Sequence, residues 1–191
     1  MNETEAKTIV KKRLSTKRYE HTIRVAETAT QLAKCYNISP QKAALAGLLH
    51  DYAKCDTIDE LKQQISAFQL PSELLDYHSE LWHGPVGAMA VKEKYRIMDH
   101  NIIHAIYYHT TARENMSLLE KVIFVADYIE PGRSFPGVDE VREVAKINLD
   151  LAAQRSLRNT IIHLLKKEAI IYPDTFLAYN QLTKSLEGLN N

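Results

Sequence analysis

The sequence predicts an all-α fold. Its apolar residues recur at helical spacing through most of the chain, only six glycines and six prolines occur in 191 residues, and no alternating Val/Ile/Thr run is present. Strict alternation marks a half-buried strand, and few turn residues leave only short loops between periodic segments. One domain over 1–191 is expected at this length, with a core over about 17–133 and C-terminal helices over 138–188 packed on it.

The elements follow in order from caps and periodicity. Glu5 to Leu14 reads as a short charged helix with Ile9, Val10 and Leu14 on one side, broken at Ser15-Thr16. Lys17 to Tyr36 places Tyr19, Ile23, Ala26, Thr30 and Ala33 on one stripe and His21, Val25, Thr28 and Leu32 on the next, so His21 faces inward. Ser39-Pro40 caps and starts a helix leading to His50-Asp51. Thr57 or Asp59 opens one through Phe68, and Pro71 opens another short one. The run Trp82-His83-Gly84-Pro85 begins the next, with His83 at or just before its N-terminus, where free amides favour an anion.

Asp99 caps a helix carrying Ile102, Ile103, Ala105 and Ile106 that ends near His109-Thr110-Thr111. Ser117 caps Leu118 to Ile129, which is apolar almost all round and therefore central, yet contains Asp127. The loop from Glu130 to Gly137 carries Arg133. Helices over Val138–Lys146 and Asn148–Glu168 follow. A last one, through Leu186, starts at Pro173 or Thr175.

Composition narrows the function classes. Apolar residues make up 45% and charged residues 25%, and 24 Lys plus Arg balance 24 Asp plus Glu, so no basic field points to nucleic acid or a membrane surface. No apolar stretch approaches the roughly 18 residues of a membrane span. The polar start Met1 to Glu5 lacks a signal-peptide pattern, so a cytoplasmic location is expected. Cys35 and Cys55 have neither disulfide nor zinc spacing and are given no role.

The chemistry is organised around His50-Asp51, which ends the apolar run Ala43 to Leu49. Two ionisable groups beside a core must be paired, hydrogen-bonded or metal-bound. An Asp orienting a core His would satisfy that rule alone, as a satisfied core histidine would for His21. His109 also ends an apolar helix, and Asp127 is a carboxylate inside one; together with His21 and His83 they give ligands from different segments. Arg18, Lys54 and Arg133 add cations able to meet phosphate oxygens. His78, His100 and His104 read as surface or structural.

A histidine, an adjacent His-Asp pair and a distant aspartate, here His21, His50-Asp51 and Asp127, resemble the signature of HD-domain metal-dependent phosphohydrolases. Arg18-Tyr19-Glu20-His21, His50-Asp51-Tyr52-Ala53-Lys54, Trp82-His83-Gly84-Pro85, His109-Thr110-Thr111, Ala126-Asp127-Tyr128-Ile129-Glu130-Pro131-Gly132-Arg133 and Tyr172-Pro173-Asp174-Thr175 are similar to the YqeK family of symmetrical diadenosine tetraphosphate hydrolases.

The resemblance implies a single HD-domain helical bundle that cleaves diadenosine tetraphosphate into two ADP. His21, His50, Asp51 and Asp127 would hold the principal metal, iron by resemblance, although the donor set equally suits manganese or another divalent ion. One or two ions are open, with His83 and His109 completing a second site or meeting phosphate. Asp51, Lys54 and His83 would be catalytic, and water the nucleophile. Arg18, Lys54, His83, His109, Thr110, Arg133, Tyr172, Pro173, Asp174 and Thr175 would contact a dinucleoside polyphosphate. Neither nucleic acid nor membrane is expected as a partner; a homodimer stays open. Another HD-domain nucleotidase or cyclic-nucleotide phosphodiesterase, or a helical regulatory module that keeps the metal as a staple, are the alternatives.

Overall fold

Most helix starts carry a side chain that answers the free amides of the first turn. The computed structural model describes residues 1–188, so the last three residues of the expected domain lie outside the described residues. Among the described residues there are ten α-helices and no strand. The first four are α1 (Glu3–Arg13), α2 (Thr16–Cys35), α3 (Pro40–Leu49) and α4 (Ile58–Ala67). Short 3-10 turns over Ser72–Asp76 and Ser79–Leu81 lead to α5 (His83–Tyr95), α6 (His100–Tyr107) and α7 (Leu118–Ile129). The chain then runs through α8 (Val138–Ala145), α9 (Leu149–Lys166) and α10 (Pro173–Glu187).

Ser15, Ser39, Thr57, Asp99, Ser117 and Asn148 accept from first-turn amides, as the sequence suggests. The first helix begins at Glu3 rather than Glu5, because Asn2 and Glu5 form a reciprocal capping box. The ninth stops at Lys166 rather than Glu168, which takes a left-handed φ of 52°. The region after Pro71 forms 3-10 turns instead of an α-helix.

The middle of the bundle is α2, α3 and α7, packed on one another. Val25, Ala29, Leu48, Leu49, Val122, Ile123 and Val125 are essentially fully buried there. Each such large aliphatic side chain contributes about 1.5–3 kcal/mol by leaving water. A smaller apolar cluster of Leu61, Ile65, Leu74, Trp82 and Val86 lies beside it, with Trp82 Nε1 donating to the Leu74 carbonyl at 2.7 Å.

Two glycines set how closely these helices approach. A Cβ on Gly47 would stand 2.8 Å from Ala26 Cα, so α3 can lie against α2 only because that position is bare. A Cβ on Gly84 would stand 2.8 Å from the Tyr107 carbonyl, which fixes the start of α5 against the end of α6. The first contact draws the end of α3 toward His21; the second draws His83 toward His109.

Candidate metal centre

The site forms where α2, α3, α5, α6 and α7 meet. His50 caps the end of α3 and His109 follows α6, and each donates Nδ1–H to the carbonyl three residues earlier, Gly47 and Ile106, at 2.7 Å. A carbonyl can only accept, so the proton is on Nδ1 and the Nε2 lone pair points away from the helix. This explains why both histidines end apolar helices: the helix terminus supplies the acceptor that aims the ring.

His21 is oriented differently. Its Nδ1 lies 3.0 Å from Oε1 of Glu130, a buried carboxylate at the end of α7. Arg24 Nε donates to Glu130 Oε2 at 2.5 Å and the Gly132 amide donates to the same oxygen at 2.6 Å. Burial opposes ionisation of Glu130, yet Arg24, His21 and the Gly132 amide lower its pKa to about 2. An ionised Glu130 can only accept, so His21 Nδ1 donates and its Nε2 also presents a lone pair.

These lone pairs face carboxylate oxygens. His21 Nε2 is 3.0 Å from Asp127 Oδ1 and 3.5 Å from Asp51 Oδ2, and His50 Nε2 is 3.1 Å from Asp51 Oδ2. Both nitrogens are buried without a hydrogen-bond partner. Across Asp51, its Oδ1 lies 3.1 Å from His83 Nε2 and 3.9 Å from His109 Nε2, and those two nitrogens are 3.1 Å apart. Asp51 therefore joins two halves, one facing His21 and His50, the other His83 and His109.

Acceptors facing acceptors at these distances need a proton or a metal ion between them. Burial alone would lower the His50 pKa, but Asp51 and Asp127 raise it. Burial together with neighbouring His50 and His83 pushes His109 down to about 3. Burial works against ionised Asp51 and Asp127, yet contacts from His50 and His83 hold the first well below the carboxylate range, and His21 and Arg133 do the same for the second. Donor atoms of His21, His50 and Asp127, and of His50, Asp51 and His109, all lie within 4.8 Å of one another. Two carboxylates and several imidazoles suit a borderline divalent ion, and the Glu130 contact supplies the outer carboxylate that commonly orients a metal-bound histidine. The cluster can hold a divalent metal.

A cavity of about 370 Å³ opens above it. Arg18, Lys54 and Arg133 stand on its wall, as the sequence reading expects of phosphate-binding cations. Arg18 Nη1 reaches Asp51 Oδ2 at 2.9 Å, and Arg133 reaches Asp127 through its carbonyl at 3.0 Å and Oδ1 at 2.7 Å. Lys54 is ion-paired with Glu80, a partner 26 residues away that sequence alone did not signal. Thr110 lines the cavity with a buried hydroxyl that has no partner. Phe124, Tyr128, Phe135 and Thr160 complete the wall; none was legible as a site residue, because an aromatic or a threonine at helical spacing reads as packing. Glu130 was visible only as the first residue of the loop after the most apolar helix and as one position of the 126–133 motif, with no role attached.

His83 and the remaining histidines stand where the sequence reading puts them, and the turn at 172–175 does not. His83 is the first residue of α5 and turns its ring to Asp51 and His109; the helix start is preceded by the 3-10 turn at Ser79–Leu81, so the ring, rather than a bare amide cluster, faces the site. Tyr172, Pro173, Asp174 and Thr175 do not line the cavity. Instead Thr175 Oγ1 donates to the Thr111 carbonyl at 2.9 Å and the Tyr172 ring packs on Tyr77, so this turn braces the segment carrying His109 and Thr110. His78 and His100 are exposed and His104 is half-buried, away from the cluster.

The HD domain family matches residues 18–132. The chain is 49% identical over 182 residues to the symmetrical bis(5'-nucleosyl)-tetraphosphatase of Bacillus subtilis strain 168, across 95% of this chain and 98% of that one. It is 51% identical over 182 residues to the protein of that name from Halalkalibacterium halodurans, across 95% and 97%. An HD superfamily hydrolase from Clostridium acetobutylicum, solved as a crystal structure, superposes with a TM-score of 0.91 at 38% identity, covering 95% of this chain and 97% of that one. The matched span contains every histidine and aspartate of the cluster, and the agreement with these relatives runs nearly end to end: the chain belongs to the HD domain family and, within it, to the YqeK group of its tetraphosphatase relatives.

Proposed function

We propose that this chain is a metal-dependent hydrolase that splits diadenosine tetraphosphate symmetrically into two ADP, with iron as the resident ion. The observation that carries the reading is Asp51, a buried carboxylate with one oxygen toward His21 and His50 and the other toward His83 and His109, beneath a cavity walled by Arg18, Lys54 and Arg133. The names of the relatives matched nearly end to end give a bis(5'-nucleosyl) tetraphosphate as their substrate class and a symmetric outcome, which supports this reading.

A bound divalent ion, or a pair, supplies Lewis-acid stabilisation of phosphoryl charge and lowers the pKa of the attacking water. His21, His50, Asp51 and Asp127 would hold it. Arg18 and Arg133 touch the ligand carboxylates and still face the cavity, so each can exchange part of that contact for a phosphate oxygen. Lys54 adds a third positive charge once Glu80 gives way. His83 either joins a second ion or donates a hydrogen bond to the departing phosphate. The Thr110 hydroxyl, without a partner among protein groups, is free to meet the same oxygens.

The test is metal analysis of the purified protein together with chromatography of an early time point on diadenosine tetraphosphate. Two ADP and bound iron are the expected result. An equimolar mixture of ATP and AMP would overturn the symmetric reading even with the metal in place, and full activity with manganese alone would overturn iron.

A further inference from the structure

We infer that a groove beside the metal centre, between the 130–137 loop and α9, is the seat of one purine base of the substrate. The inference rests on the hydrolase reading above. The groove encloses about 450 Å³, within the range of sites for small organic ligands. It shares Tyr128, Phe135 and Thr160 with the metal-centre cavity, so a molecule whose phosphates lie over Asp51 can continue into it without leaving the protein.

The lining suits a base rather than more phosphate. Tyr128 and Phe135 meet edge to face, ring centroids 5.0 Å apart at 80°, and Phe135 keeps 37% of its surface exposed. Ile162, 43% exposed, faces the same groove. An aromatic side chain left one-third open beside a phosphate cavity offers a stacking face, and base stacking tolerates any base because each has a π-surface. No carboxylate lines the groove, whereas His163 and Lys166 do, so nothing there repels a nucleotide.

Asn159 supplies hydrogen-bonding preference. Arg158 donates to its Oδ1 through Nε and Nη2 at 3.4 and 3.3 Å, which leaves the amide Nδ2 as the group on offer. That nitrogen is buried and interacts with the Tyr128 hydroxyl without reaching full hydrogen-bond geometry, so a better-placed acceptor in the groove can take that contact over. Purine ring nitrogens are acceptors, so the Nδ2 amide can donate to one of them, N7 among them.

The experiment titrates metal-loaded protein by calorimetry with ADP and, separately, with pyrophosphate, which lacks the base. Phe135→Ala should weaken ADP about tenfold, in line with the loss of one base stack, and leave pyrophosphate within twofold; Phe135→Trp should restore ADP. Equal weakening of both ligands would mean that the loop carrying Arg133 had shifted and would overturn the assignment, as would unchanged ADP binding. The product assay on the wild type is separate: cleavage to ATP and AMP would defeat the symmetric reading, while the ADP comparison would still decide the groove.

Discussion

The floor and the rim of the cavity are both built from charged residues, but they are held in different ways. On the floor, His21, His50 and His109 are nearly or fully buried, and each has Nδ1 committed to Glu130 or to a helix-end carbonyl. On the rim, the side chains of Lys54, Arg18 and Arg133 are 16%, 28% and 35% exposed, and each is paired with a carboxylate. A buried ring with one nitrogen fixed has a single way to present the other. A half-exposed cation on a flexible stem can trade one anion for another. The floor is thus preorganised for a metal and the rim for an exchangeable polyanion.

The largest expected effect breaks the floor. Asp51→Ala removes the carboxylate common to both halves, so bound metal and hydrolysis should both be lost while the helices persist. Metal analysis, product assay and circular dichroism on one preparation check this; near-normal activity with full metal would show that Asp51 is packing. Glu130→Gln should come next. It keeps the shape but removes the charge that orients His21 and pairs with Arg24, and loss of such an outer carboxylate typically weakens metal binding 10–100-fold. Competition with a chelator measures it, and unaltered affinity would mean that His21 is held well enough by packing alone.

Arg133→Ala addresses the rim. It should lower kcat/KM by about 1.5–3 kcal/mol, the range for a hydrogen bond to a charged group, with metal content retained. Because Arg133 also touches Asp127, metal loss in this variant would move it from rim to floor. The smallest effect is expected from Glu80→Gln, which frees Lys54. Glu80 is 65% exposed in this pair, and exposed pairs contribute about 0–1 kcal/mol, so KM should fall by no more than a few-fold. A rise in KM instead would assign Glu80 to positioning Lys54 rather than restraining it.

The sequence by itself determined the all-helical fold, most of the caps and which histidines and aspartates are candidates for holding a metal. These are local: an apolar stripe every third or fourth residue, a Ser or Thr before it, and an ionisable residue where such a run ends. His50, His109 and Asp127 were legible because a charge or imidazole next to a core demands a partner. Tertiary structure decided the rest, because it depends on contacts between distant parts of the chain. Glu130 acts on His21 across 109 residues, and Lys54 meets Glu80 across 26. The turn at Tyr172–Thr175 braces the Thr111 backbone rather than lining the cavity, since Thr175 is buried and its hydroxyl is spent on that carbonyl. Gly47 and Gly84 look like ordinary helix glycines in sequence; only the packed helices show that each is bare because a backbone lies 2.8 Å from where its Cβ would stand.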